Sequence, residues 1–300
     1  MRLTIRGLSK RYPNGVQALE QVSLDLSPGM FGLLGPNGAG KSTLMRTLAT
    51  LQQADSGSAV LDDIDILRQP GRVREVLGYL PQDFGVYPKV SALDLLDHLA
   101  RLKGLADARA RREVVDRLLQ RTNLYEVRKQ KLGSFSGGMR QRFGIAQALL
   151  GQPRLIIVDE PTAGLDPEER VRFHNLLAEI GEDVVVILST HIVADVADLC
   201  SSFAVINHGR VLLTGEPTSL IEAVRGRIWR RIVIKEEMAA MKGRLPIIST
   251  RLQAGRTLVR AYAESAPDAG FEAVEPDLED VYFSTIAGHF TAARLSAAAA

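Results

Sequence analysis

The chain carries a single cysteine, Cys200, among its 300 residues. No internal disulfide or cysteine cluster is possible, which fits a reducing cytosol and excludes a disulfide-stapled secreted scaffold. Cys200 is expected to be a small buried apolar residue. Long apolar runs are missing as well: no stretch approaches the roughly 20 apolar residues needed to cross a bilayer. The opening MRLTIRGLSKRY alternates apolar and polar residues where a signal peptide would have an apolar core. A soluble chain is expected, with any membrane role falling to a partner. Charge of one sign is also lacking, since 37 Lys and Arg against 35 Asp and Glu leave a net +2. That balance gives no reason to expect nucleic-acid binding. No internal repeat is visible. What remains is globular in composition, 46% hydrophobic and 24% charged, and long enough for one large domain or two unequal ones.

Up to about Pro217, short apolar runs alternate with helical periodicity. LTIRGL and VSLDLS read as alternating, edge-type strands. MFGLLG, LIIVDE (155–160) and VVVILST (184–190) are continuous apolar runs, as in strands buried on both faces of a mostly parallel sheet. The stretch between the first two reads as mainly helical, with Ser91 and Asp107 as N-caps of two helices in a small helical subdomain. PEERVRFHNLLAEIG reads as a helix with Pro167 in its first turn and Gly181 at its end. FAVINHGRVLLTG reads as a hairpin turning at Asn207 to Gly209. From about Gly226 strands separated by loops take over. Residues 221–260 hold ten Arg or Lys against three Glu, and residues 261–280 hold seven acids and no Arg or Lys. A second, strand-rich α+β unit is expected over 226–290, then a low-complexity, frayed tail at 291–300. The basic run around Trp229 reads as an alternating Arg/Ile strand face balanced by the acids downstream.

GPNGAGKST, Gly35 to Thr43, stands between the run MFGLL and an apparent helix, and matches the pattern G-x-x-x-x-G-K-S. Gly35, Gly38 and Gly40 permit positive φ and leave backbone N–H groups open to an anion at a helix N-terminus. Lys41 supplies a point charge for β and γ phosphates, Ser42 a hydroxyl for Mg²⁺, and Thr43 another donor. The alternative, a Gly-rich turn whose Lys and Ser face water, weakens because LIIVDE ends in two acids. Asp159 suits Mg²⁺, and Glu160 suits an attacking water. Ser136-Gly137-Gly138 then opens a second helix with a hydroxyl and two glycines, a second anion site. Two phosphate caps serve one nucleotide most economically in a symmetric dimer, where each cap closes the other subunit's loop.

Together these elements resemble, in order, the ATP-binding subunit of an ABC transporter over residues 1 to about 225. The resemblance implies a P-loop NTPase core of α/β class with a mostly parallel sheet. It also implies an N-terminal antiparallel β subdomain, a helical subdomain inserted at about 83–150, and a small C-terminal α+β domain. ATP would lie on Gly35, Pro36, Asn37, Gly38, Ala39, Gly40, Lys41, Ser42 and Thr43, with Tyr12 stacked on adenine. GYLPQDFGVYP resembles the Q-loop, and its Gln82 would contact Mg²⁺ or the lytic water. FSGGMRQ resembles the signature motif, with Phe135 where the family usually has Leu. AGLDP, with Asp166, resembles the D-loop, and His191 in STHIVAD resembles the switch histidine. Lys41, Gln82, Glu160 and His191 would be the catalytic set, with Ser42, Gln82 and Asp159 around Mg²⁺. His98, His174, His208 and His289 read as surface or core fillers.

The resemblance implies a cytosolic MgATP hydrolase, peripheral on the membrane, that pairs with an identical or paralogous subunit and drives separate membrane permeases. Docking is expected on the loop 83–89 and on the helix starting near Ser91. PDLEDVYFSTIAG is similar to the tail of ATPase subunits paired with ABC-2-type exporters, which favours export. The alternative is a soluble ABC ATPase acting on nucleic acid or ribosomes. Chromosome-maintenance members of that class place hundreds of coiled-coil residues between P-loop and signature. Here the gap is under a hundred residues with no heptad run. Translation-factor members carry two ATPase domains in one chain. A regulatory module without turnover is disfavoured because Glu160 and His191 are both present. Every nucleotide motif precedes residue 226, so residues 1–225 are expected to fold and bind ATP without the rest.

Overall fold

In the computed structural model, residues 1–291 are described apart from 83, 163–164, 182, 235–236, 239–240 and 242. The chain enters through β1 (Leu3–Arg11) and β2 (Gln17–Leu26), an antiparallel pair. β3 (Gly29–Leu34) then runs into the 35–40 loop and α1 (Lys41–Leu48). β4 (Ser56–Leu61) and β5 (Ile64–Asp65) return to the first pair, completing an antiparallel sheet ordered β2-β1-β4-β5. α2 (Pro70–Val76) and β6 (Leu77–Leu80) follow. The stretch expected to be mainly helical thus also holds short strands. β4 opens on SGS with Gly57 at a φ of 95°, and β6 is only four residues long, too brief for a periodic signal.

α3 (Ala92–Leu102), α4 (Ala108–Arg121) and α5 (Gly137–Ala148) pack on one another as a helical layer. Ser91 caps α3 by accepting from the Asp94 N–H, and Asp107 caps α4 through the Ala110 N–H, as the sequence predicts. β7 (Leu155–Asp159), α6 (Pro167–Ile180), β8 (Val185–Thr190), α7 (Val193–Leu199), β9 (Ser202–Asn207), β10 (Arg210–Gly215) and α8 (Pro217–Ala223) complete the core. β9 and β10 form the expected hairpin, turning through His208 and Gly209, both at positive φ.

The central sheet runs β10-β9-β3-β8-β7-β6, parallel throughout except for the β9–β10 edge. Strict alternation divides its apolar strands between two cores. Met30, Leu34, Ile156, Val158, Val186 and Leu188 face one, with Phe173 and Leu177 of α6 and Val196 of α7. Phe31, Leu33, Leu155, Ile157, Val185 and Ile187 face the other, with α1 and the antiparallel sheet. Burial on both faces is why these strands read as continuous apolar runs. The nucleotide-type motifs sit at the strands' C-terminal ends, where open α/β sheets bind ligands.

Beyond α8 lies a small antiparallel sheet, β12-β13-β11-β14, of β11 (Ile228–Val233), β12 (Ile247–Gln253), β13 (Arg256–Tyr262) and β14 (Glu272–Ala273). The final helix α9 (Leu278–Ile286), closed by an Asp277–Asp280 capping box, returns to α7 and α8. Leu278, Val281, Tyr282 and Phe290 lie in the same core as Val196, Phe203 and Leu220. The basic strands are charge-paired: Arg227 with Glu264 at 3.0 Å, Arg230 with Glu272 at 2.6 Å, Arg260 with Asp277 at 2.8 Å. The expected tail falls outside the described residues from 292 onward.

Candidate nucleotide site

β3 is stiff and buried, so its end fixes where the 35–40 loop begins. A Cβ on Gly35 would lie 2.3 Å from the Ile206 carbonyl, so close packing rather than positive φ requires glycine there. Gly38 and Gly40 do take positive φ, 79° and 108°. Gly40 caps α1 without a side-chain acceptor, leaving first-turn N–H groups free for an anion. Lys41, 5% exposed, curls back over the loop and donates from Nζ to the carbonyls of Gly35 (2.6 Å) and Pro36 (3.2 Å). Burial holds its ammonium below the ordinary lysine range, an effect that Glu160 opposes.

β7 delivers the two acids to this loop. Burial pushes Asp159 above the usual carboxylate range. Asp159 Oδ1 is buried with no hydrogen-bond partner, and so is Ser189 Oγ. Glu160 turns the chain out of β7 at a φ of 48°, a left-handed conformation uncommon outside glycine, and its N–H donates to the Ser189 carbonyl. Its carboxylate lies between two cations: Oε1 is 3.6 Å from Lys41 Nζ, and Oε2 is 2.9 Å from His191 Nδ1. Side chains from the start of α1 and from the ends of β7 and β8 thus converge on one point.

A cavity of about 410 Å³ opens over the loop, walled by Tyr12, Gly38, Lys41, Thr43, Gln82 and Glu160. Tyr12 follows β1, and its hydroxyl reaches Thr43 Oγ1 (3.2 Å) and Gln52 Oε1 (3.1 Å). Gln52, which sequence reasoning missed, also donates to the Thr43 carbonyl and the Thr47 hydroxyl, bracing the start of α1. It belongs to no motif and was not findable from pattern alone. The cavity can take a phosphate chain on the loop and an aromatic base on Tyr12. Asp159 and Ser42 can hold a divalent cation. No cluster of three His, Cys, Asp or Glu forms among the described residues.

Ser136, Gly137, Gly138 and Asp166 do not line this cavity. Ser136 caps α5 through the Met139 N–H, and both Ser136 and Gly137 are exposed. A Cβ on Gly137 would meet nothing within 4 Å, whereas one on Gly138 would strike Glu169. Asp166 caps α6 through the Glu169 N–H and is exposed. Residues 163–164 of AGLDP lie outside the described residues. The other histidines separate: His98 and His208 are exposed, His289 is half-buried, and His174 is buried against Asp195. Cys200 is buried, its thiol pushed up to about 12 by desolvation.

Residues 19–163 match the protein family described as "ABC transporter". The chain is 32% identical over 304 residues to "Probable multidrug ABC transporter ATP-binding protein YbhF" of Escherichia coli strain K12, covering 95% of this chain and 52% of that protein. It therefore spans about half the length of that relative. It is 30% identical over 300 residues to "Uncharacterized ABC transporter ATP-binding protein YxlF" of Bacillus subtilis, covering 95% of this chain and 99% of that one. Its fold is similar to a dimeric post-hydrolysis state of the ATP-binding cassette MJ0796 bound to ADP and Pi. The TM-score there is 0.65 at 25% identity, over 71% of this chain and 98% of that one.

Proposed function

Because the chain belongs to the ABC transporter ATPase family, we propose that it hydrolyses MgATP at a head-to-tail dimer interface to power export by separate membrane subunits. The observation that carries this reading is the convergence of Lys41, Glu160 and His191 beside the glycine loop, with Ser136 and Gly137 exposed outside the cavity.

The first step is binding. Loop N–H groups and Lys41 hold the β and γ phosphates, and the ring of Tyr12 supports the base. Lys41 retains a donor beyond those spent on Gly35 and Pro36, and the incoming phosphate competes with Glu160 for it. Mg²⁺ suits the residues present, because the orphaned Asp159 Oδ1 lacks a partner that a cation would provide. Ser42, Asp159 and Gln82 would hold it, and when bound it supplies charge neutralisation on the phosphates. Glu160 accepts the proton of the attacking water. His191 Nδ1 orients that carboxylate, and the 2.9 Å contact between them fixes where the water is met.

The second step needs a partner. Exposed Ser136 and Gly137 at the start of α5, with exposed Asp166 at the start of α6, form a surface suited to the γ-phosphate in another subunit's cavity. Closure on ATP and reopening after hydrolysis would pass to permeases through residues 84–89 and α3, where Tyr87 is 66% exposed. Among the described residues no helix is long and apolar enough to cross a membrane. We place the chain on the cytoplasmic face, with residues 1–225 as the ATP-binding domain and 226–290 as an accessory one. Export draws support from the relative named as a multidrug transporter component. The nucleic-acid alternative finds little footing in β11, whose arginines, Arg230 and Arg231, are paired with Glu272 and Glu237. Ser136→Arg tests the reading: ATP binding to the monomer should persist within about threefold, while ATP-driven dimerisation and turnover fail. A variant that still dimerises with ATP refutes the in-trans site.

A further inference from the structure

Asp195, on α7, is a carboxylate with no exposed surface, and the chemistry just described makes no use of it. Its two oxygens divide their partners. Oδ2 accepts from the Thr162 hydroxyl at 2.6 Å and from the Thr190 hydroxyl at 3.3 Å. Oδ1 faces Arg170 Nη2 at 2.7 Å and His174 Nε2 at 3.0 Å, both on α6. Thr162 stands two residues past Glu160, and Thr190 stands one residue before His191. The Thr190 hydroxyl also accepts the Ile192 N–H at 3.0 Å, so the backbone on both sides of His191 is tied to this carboxylate.

Burying an ionised group costs several kcal/mol unless charge and hydrogen bonds compensate it. Here a cation and a histidine offset the charge on one oxygen, which leaves the other to two hydroxyls. An apolar residue would fill the same space more simply in a core already holding Val193, Val196 and Cys200. What the carboxylate adds is direction: one rigid acceptor locates two separate loops relative to each other. Those loops carry the Glu160–His191 pair, whose 2.9 Å contact depends on their spacing.

We propose that Asp195 is a positioning residue for hydrolysis, holding the Thr162 and Thr190 loops so that Glu160 and His191 meet in productive register. This rests on the assignment of Glu160 and His191 above. Asp166, at the start of α6, stands four residues before Arg170, so the same carboxylate also anchors the helix that presents the surface proposed to face the partner subunit.

The test uses the full chain. Asp195→Asn keeps the side chain's shape and removes its charge. Turnover per folded molecule should fall about 10- to 100-fold, with nucleotide affinity unchanged within threefold. Thr162→Val and Thr190→Val, near-isosteric and away from the cavity, should each lower turnover several-fold. Combined with Asp195→Asn, either should cost less than twofold more, since the shared contact is already lost. Should Asp195→Asn fail to fold, the two valine variants still decide the matter. Unchanged turnover in the valine variants, or losses that simply multiply, overturns the proposal, as does an Asp195→Asn effect confined to thermal midpoint. Glu160→Gln is run beside them: if it stays active, the assignment of the general base has failed; if it is inactive while the Asp195 and valine variants remain active, only the positioning role has.

Discussion

Replacing Glu160 by Gln separates the two things its carboxylate does in this structure. Gln keeps the side chain's length, its hydrogen-bonding capacity and the left-handed backbone at position 160, where φ is 48°. It removes the proton acceptor. Losing a positioned general base costs about 10²- to 10⁴-fold in turnover, roughly 3–5 kcal/mol of barrier. The same change removes the anion 3.6 Å from Lys41 Nζ. At an effective dielectric near 20, charges so spaced attract by about 4–5 kcal/mol. Most of that is cancelled by the cost of desolvating the pair, but whatever remains opposes the phosphate in competing for Lys41. ATP should therefore bind Glu160→Gln as tightly as wild type or up to about tenfold tighter, near 1.4 kcal/mol. With cleavage blocked, the ATP-closed dimer should persist far longer. Single-turnover phosphate release, calorimetric ATP titration and size-exclusion chromatography with MgATP read the three effects. Wild-type phosphate release refutes the role of Glu160. Weaker ATP binding refutes the competition for Lys41.

Lys41→Ala should raise the Kd for ATP by at least 10²-fold and abolish turnover, because a buried charge-assisted contact to the phosphates is lost; retained affinity would contradict the site. Asp159→Asn should end Mg²⁺-dependent hydrolysis yet stabilise the nucleotide-free protein at neutral pH. A carboxylate with a raised folded pKa binds its proton more tightly when folded, so its ionisation destabilises as pH rises past the ordinary carboxylate value. The gain should vanish at low pH, where Asp159 is protonated, and each kcal/mol recovered moves Tm by about 2–4 °C; a variant less stable at pH 7 opposes this. Truncation after Arg225 removes Leu278, Val281, Tyr282 and Phe290 from the core. At about 1.5–3 kcal/mol each the loss is of order 6–12 kcal/mol, comparable with a whole domain's stability. The fragment is expected to aggregate, and a chain lacking 226–276 but keeping α9 on a short linker should be the more soluble of the two.

That last expectation departs from what the motifs alone suggest. The nucleotide loop, the acid pair and the caps at Ser91 and Asp107 were legible because their chemistry is local: glycine conformations, orphan N–H groups and strand ends leave marks within a few residues. The P-loop strand and its parallel neighbours were legible from their unbroken apolar runs. The return of α9 was not, since its helical apolar pattern names no destination. Gln52 and the Asp195 network were equally silent. Both act through contacts between residues far apart in sequence, or between a loop and a helix already counted as structural. His174 shows the limit well, because a histidine read as filler proved to face a buried acid. Gly35 needs its missing side chain for a reason the motif does not show, as the carbonyl of Ile206 that a Cβ would strike comes from a strand 171 residues away.

The placement of α9 has a consequence for synthesis. Its apolar face completes a core whose other walls, from Met30 of β3 to Tyr262 of β13, are all made earlier. The roughly 55 residues separating α8 from α9 take about 3–11 s to emerge at about 5–20 residues per second. Through that interval Val196, Phe203 and Leu220 stand uncovered on the ribosome, beside a glycine loop already able to meet ATP. A nascent chain in that state presents a sticky flank to chaperones and to other nascent copies, and nucleotide bound early would hold the half-finished sheet together until its last helix arrives.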